Sequence, residues 1–200
     1  PVFEPLVWTE EQLRALDAVE DWLDGSEPLF SLTGPAGSGK TSLVREIVAR
    51  YPDVILTAMT GKAALRVSQL VGRASSTLHS RLYWPPTPGE GMLFTRLREP
   101  PGDKVAIDES SMMGPLVLQH LRGWGYGMKL LLVGDDYQLP AVITGKELQD
   151  YGEDWSVFSE VRGVALETVM RSAGGVLRAA EYVRRTGEIC EKSDLDAPGK

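Results

Sequence analysis

The sequence predicts an α/β fold, a parallel β-sheet covered by helices on both faces. Three observations carry this reading. Short apolar runs at Leu29–Thr33, 54–58, Lys104–Asp108 and 129–133 each end at a polar or glycine turn. Stretches with helical spacing lie between them, at Lys40–Arg50, Gly61–Val71 and 112–121. Short strands that alternate with helices need a crossover for each strand pair, and a sheet covered in this way carries apolar residues on both faces.

Before the first strand, Thr9 opens a helix whose Leu13, Leu16, Val19 and Leu23 repeat at roughly helical spacing, and Gly25 closes it. Residues 83–103 break the rhythm. They contain Trp84-Pro85-Pro86, Pro88-Gly89, Gly91 and Pro100-Pro101-Gly102, with a strand predicted over 92–97, and read as an inserted β-hairpin. A further helix is predicted over 176–185. The domain organisation is therefore one α/β unit over 1–82 and 104–187, an insertion over 83–103, and a tail over 188–200 that is also readable as the start of a second domain.

The chain has 200 residues, 42% of them hydrophobic, which is ample for one buried core. No apolar run approaches the roughly 18 residues of a membrane span, and no signal peptide opens the chain. Cys190 is the single cysteine, which excludes an intramolecular disulfide and argues against a cysteine metal cluster. These features point to a soluble protein of a reducing compartment, with no membrane partner. The net charge of −7 argues by itself against a nucleic-acid partner. Its distribution reverses that argument. Residues 1–27 hold eight acids and one base, so the remainder balances to zero, and residues 62–98 carry +5 through Lys62, Arg66, Arg73, Arg81, Arg96 and Arg98 against Glu90.

The densest chemistry lies at 34–41. Gly34-Pro35-Ala36-Gly37-Ser38-Gly39-Lys40-Thr41 matches G-x-x-x-x-G-K-[ST] between a predicted strand and a predicted helix, with Ser42 next on that helix. Glycines let the backbone curl so that several N–H groups face one triphosphate, and the helix N-terminus adds partial positive charge. Lys40 has the reach for the β- and γ-phosphates, and the Thr41 hydroxyl suits Mg²⁺. Residues 105–109 form an apolar strand that ends in two acids. Asp108 is placed to hold the metal's water shell, and Glu109 to polarise an attacking water, which favours hydrolysis over transfer to another acceptor. A third strand runs into Gly134-Asp135-Asp136-Tyr137-Gln138-Leu139-Pro140. If it neighbours the other two, Gln138 can sense the γ-phosphate; otherwise the segment is a plain turn.

With these residues in view, the chain resembles the first motor domain of superfamily 1, subgroup B DNA helicases, the Dda-like and RecD-like enzymes. The matching stretches are 9–12, 34–41, 57–64 (Thr-Ala-Met-Thr-Gly-Lys-Ala-Ala), 76–80 (Ser-Thr-Leu-His-Ser), 107–112, 134–140 and 166–172, in the family's order. The resemblance implies a RecA-like P-loop NTPase fold that binds ATP with Mg²⁺, and a 5′-to-3′ translocase acting on single-stranded DNA and the duplex fork. It implies that Gln12 reads the adenine edge, although Thr9-x-x-Gln12 is also a capping box. Arg171 resembles an arginine that reaches the γ-phosphate across an interdomain cleft; its other reading is a surface arginine before a helix. Thr60, Lys62 and His79 resemble positions along a single-strand track, and His79 reads equally as a half-buried helix histidine. Phe94, in Met92-Leu93-Phe94-Thr95, resembles the residue of a pin that splits the duplex, or else anchors the hairpin to the main domain. Catalysis would then fall to Lys40, Glu109, Gln138 and Arg171, and a cytoplasmic location in a bacterial or phage setting is implied.

The chain departs from the family in one respect. Nothing after Ser172 resembles the second RecA-like domain, and the first residue is not Met. The expectation is a fragment, or a natural single-domain relative, that alone binds nucleotide weakly and unwinds little. Two rival readings stand beside the helicase: another P-loop enzyme such as a nucleotide kinase, and a nucleic-acid-binding switch that uses ATP without unwinding.

Overall fold

The computed structural model describes residues 8–83, 102–123, 128–138 and 141–169. Six strands form one sheet: β1 (Leu29–Thr33), β2 (Ile55–Ala58), β3 (Ser75–Thr77), β4 (Lys104–Asp108), β5 (Lys129–Gly134) and β6 (Gly163–Ala165). Their order is β3-β2-β4-β5-β1-β6, and every pairing is parallel. The helices are α1 (Glu10–Asp24), α2 (Lys40–Arg50), α3 (Gly61–Val71), α4 (Leu78–Leu82), α5 (Pro115–Arg122) and α6 (Lys146–Tyr151).

Alternation along the strands sorts the core into two layers, because successive side chains point to opposite faces. Phe30, Leu32, Leu56, Ala106, Leu131 and Val133 meet Leu16, Val19, Leu43, Ile47 and Val67 from α1, α2 and α3. Val105, Ile107, Leu130 and Leu132 meet Leu78, Leu82, Leu118 and Leu121 from α4 and α5 on the other side. Each of the larger side chains, all but Ala106, stabilises the fold by about 1.5–3 kcal/mol when fully buried. The two layers are what the unbroken apolar runs of β4 and β5 require.

Helix α1 begins and ends where the sequence predicts. Thr9 caps it through the Gln12 amide N–H (3.2 Å), and the Gln12 side-chain oxygen accepts from the Thr9 N–H (3.1 Å), a complete capping box. At the far end, the Lys129 ammonium donates to the carbonyls of Trp22, Gly25 and Glu27 at 2.8, 2.6 and 3.0 Å. Trp22 also stacks on Phe30.

Several elements differ from expectation. The helix predicted over 112–121 begins only at Pro115, and Ser110–Met112 form a 3₁₀ turn instead. Proline at the first helical position lacks an N–H that would be unpaired there anyway, so it starts the helix rather than continuing one. The strand predicted over 54–58 begins at Ile55. Strands β3 and β6 were not foreseen, because three-residue edge strands with half-exposed or polar residues show no apolar run. The strand expected over 92–97, most of the insertion, and the helix expected over 176–185 lie outside the described residues.

One basic residue has a structural use. Arg73 donates to the carbonyls of Val48 (3.1 Å) and Pro52 (2.8 Å), closing the C-terminal end of α2. It is half-buried, whereas Lys62, Arg66 and Arg81 are exposed.

Candidate nucleotide and nucleic-acid site

The sheet order decides where the predicted site residues meet. Strand β5 lies between β4 and β1, with Thr33 beside Gly134 and Ile107 beside Leu132. The glycine-rich loop after β1, the acids at the end of β4 and the turn after β5 therefore leave the C-terminal edges of three adjacent strands. In open parallel sheets that edge is where ligands bind.

The loop itself is built for close approach to a phosphate. Gly34, Gly37 and Gly39 have φ of 148°, 86° and 97°, values that other residues reach only with strain. At Gly39 a Cβ would collide with the side-chain amide of Gln12, and at Gly34 it would sit 2.5 Å from the Leu166 carbonyl oxygen. Helix α2 starts at Lys40 with no side chain capping it, which suits an anion at its N-terminus. Ser38 is buried, and its hydroxyl has no hydrogen-bond partner among the described residues. The Lys40 ammonium donates to the Gly34 and Pro35 carbonyls at 2.6 and 2.8 Å, so it lies along the loop. A cradle of glycines, an orphaned hydroxyl and a cation lying within it fit a polyphosphate. Thr41 and Ser42 are half-buried on the first turn of α2, while Ala36 is exposed and Pro35 buried.

Gln12 joins α1 to this loop. Its side-chain N–H donates to the Ser38 carbonyl at 3.1 Å, and the residue is buried. The capping box is present, so its amide oxygen and its amide nitrogen both have partners within the chain.

Asp108 and Glu109 end β4 differently. Burial pushes the Asp108 carboxyl above the usual carboxylate range, and the charge of Glu109 acts in the same direction, against Lys40 and Arg66. The Asp108 register partner is Ala58 at the end of β2. Glu109 has φ of 55°, the one positive φ of a non-glycine residue among those described. Its carboxylate lies 3.5 Å from the Thr60 hydroxyl, which also caps α3 by accepting from the Ala63 N–H at 3.1 Å. An acidic pair, with one partly desolvated carboxyl suited to a cation and one aimed carboxylate, fits the division between metal ligand and base.

The turn after β5 is ordered by Asp135, whose carboxylate accepts from the Tyr137 N–H at 3.1 Å. Gln138 is exposed on it, at the edge shared with the loop and the acids. Lys62 is exposed on the first turn of α3, two residues from Thr60. His79 is half-buried on α4, its ring 5.6 Å from that of Tyr83, and burial lowers its pKa. Tyr83 is itself buried and hydrogen-bonds the His120 ring at 2.8 Å, so the start of the insertion is anchored to α5. Phe94 and Arg171 lie outside the described residues.

The chain matches the family model described as an AAA domain over residues 8–197. It belongs to that family. Membership brings nucleotide use with it, and the six-stranded parallel sheet is the RecA-like P-loop fold. This AAA domain is 37% identical over 145 residues to the ATP-dependent RecD2 DNA helicase of Deinococcus radiodurans, covering 70% of this chain and 19% of that one. It is 28% identical over 189 residues to the ATP-dependent DNA helicase dda of Enterobacteria phage T4, covering 88% of this chain and 42% of that protein. A crystal structure of Bacteroides Pif1 bound to ssDNA matches with a TM-score of 0.63 at 25% identity, covering 90% of this chain and 46% of that one. The chain thus spans less than half the length of these relatives. The resemblance read from the motifs leads to the same group of proteins.

One residue beside the loop has a partner that the sequence does not signal. Glu11, beside Gln12, accepts from the backbone N–H groups of Glu167 and Thr168. An acid in the first turn of a helix already has a local explanation in the helix dipole, and a partner more than 150 residues away leaves no spacing signal.

Proposed function

We propose that this AAA domain is the first motor domain of an ATP-dependent DNA helicase, binding MgATP and single-stranded DNA. The observation that carries it is the position of β5 between β4 and β1, which gathers loop, acids and Gln138 at one edge. On this reading Glu109 polarises the attacking water, Lys40 and Arg171 offset charge developing on the γ-phosphate, and Gln138 reports that phosphate to the DNA side. Bound Mg²⁺, for which Thr41 and Asp108 are the ligands, supplies charge neutralisation to the triphosphate. Gln12 exchanges one of its intrachain partners for the adenine edge.

Single-stranded DNA runs past Thr60, Lys62 and His79. Exposed Lys62 contributes phosphate affinity, and the ring of His79 a flat surface. The insertion over 83–103 acts as a pin at the duplex fork, with Phe94 as its stacking residue, and movement is 5′ to 3′ in a cytoplasmic setting.

ATP hydrolysis by the full gene product, measured with and without a single-stranded oligonucleotide, tests the reading. Stimulation of about ten-fold or more, lost in Glu109→Gln, is expected. Hydrolysis indifferent to DNA would overturn it and leave a nucleotide switch or another P-loop enzyme. For the pin, Phe94→Ala should slow unwinding while sparing DNA-stimulated hydrolysis, and equal loss of both would remove that role.

A further inference from the structure

Two adjacent side chains on the first turn of α1 hold two different parts of the site. Gln12 donates to the Ser38 carbonyl in the phosphate loop. Glu11 spreads its carboxylate over two consecutive backbone donors, with Oε1 on the Glu167 N–H and Oε2 on the Thr168 N–H, the latter at 3.2 Å. These two residues follow β6 after one intervening residue, Leu166. Their predecessor closes the circuit: the Leu166 N–H donates to the Thr33 carbonyl at 2.8 Å, and its own carbonyl oxygen lies against Gly34. Loop, helix start and chain exit thus form one ring of contacts. Leu166 is buried and fixes the exit in the core, whereas Glu167 and Thr168 are exposed and are held here by Glu11. Burial pushes the Glu11 carboxyl up, yet the hydrogen bonds from Glu167 and Thr168 outweigh it and set it below the usual carboxylate value.

We propose that Glu11 is a positioning residue that couples nucleotide occupancy of the loop to the order of the chain leaving β6. A nucleotide that draws Gln12 or Gly34 shifts the start of α1, and the Glu11 fork passes that shift to residues 167–168. The inference rests on the reading of the loop as the nucleotide site.

Amide hydrogen exchange at Glu167 and Thr168 tests it, on the protein with and without a non-hydrolysable ATP analogue whose binding is followed separately by fluorescence. In the parent protein, saturating analogue is expected to slow exchange at both amides by about five-fold or more. Glu11→Ala should raise exchange at these amides about ten-fold and abolish the response to nucleotide. Coupling is reciprocal, so it should also weaken analogue affinity by the same factor as the lost response. Glu11→Gln keeps one carbonyl acceptor and should retain part of the response. Lys129→Met, which loosens the opposite end of α1, should lower stability and leave the response intact. Analogue binding with no change at residues 167–168 overturns the coupling alone, and so does loss of the response in Lys129→Met. Failure of the analogue to bind overturns the nucleotide reading together with it.

Discussion

The Thr60 hydroxyl serves two elements at once, capping α3 through Ala63 and facing the Glu109 carboxylate 3.5 Å away. Glu109 reaches it from a left-handed backbone, φ 55°, a conformation that costs a non-glycine residue about 1–2 kcal/mol. The proposed DNA track and the proposed base therefore share one hydroxyl. Thr60→Ala should remove the cap at about 1 kcal/mol, lowering the melting temperature by roughly 2–4 °C. It should also change the ratio of DNA-stimulated to basal hydrolysis. Thr60→Ser keeps both bonds and should restore both quantities. Hydrolysis that simply follows stability across the two variants would separate the hydroxyl from Glu109.

Gly39→Ala tests the loop geometry. A Cβ at Gly39 meets the Gln12 amide, and φ of 97° strains any L side chain whatever the space. Nucleotide affinity should fall at least about ten-fold, from backbone strain of about 1–3 kcal/mol and displacement of the loop. Adding Gln12→Ala removes the collision and leaves the φ. The double variant should therefore regain stability only in part, beyond what it loses with the capping box. Full recovery in a urea titration would show that the collision alone mattered.

The legible parts of the molecule are those whose signal is local. Helix α1, β1, α3 and β4 have the predicted limits because each stretch ends at Gly25, Gly34, Gly72 or a charged pair, and α2 has them because it starts straight after Gly39. The Thr9–Gln12 capping box was visible because its partners are three residues apart. Its continuation to Ser38 was not, nor was the Glu11 fork on Glu167 and Thr168, since both depend on how distant segments fold together. Arg73 carries a second such relation: composition places it in a basic stretch, and the fold also joins it to the end of α2. The neighbour relation of β1, β4 and β5 was a condition the motifs imposed and only the sheet order could meet.

Lys129 crosses from β5 to close α1, donating to three carbonyls and lying 5.4 Å over the Trp22 ring. Burial lowers its pKa from the usual lysine value, with the charges of Glu27 and Asp24 acting in the other direction. Lys129→Met keeps the aliphatic stem and leaves those carbonyls without their cation. A loss of about 1.5–3 kcal/mol is expected, typical of hydrogen bonds to a charged group, read as a lower urea midpoint at unchanged slope. A variant as stable as the parent would show that water replaces the ammonium there.

Asp108 bears the opposite relation to stability. Burial raises its pKa in the folded chain, with the Glu109 charge adding to the rise. A folded pKa above the unfolded one means that its contribution is most favourable below about pH 4. That contribution is lost as pH rises through the folded value. At pH values where Asp108 ionises, its charge therefore opposes folding, as expected of a carboxylate proposed to hold a cation. Asp108→Asn is expected to raise the melting temperature by roughly 2–4 °C near neutral pH, equivalent to about 1 kcal/mol. The gain should shrink as pH falls toward the unfolded carboxylate value, because a raised folded pKa keeps more of the parent side chain protonated there. If Asp108 is the proposed metal ligand, magnesium-dependent hydrolysis should fall about 100-fold or more in the same variant, an exchange of stability for function. A lower melting temperature near neutral pH, or a gain that does not vary with pH, would show that Asp108 is held by partners rather than strained by burial.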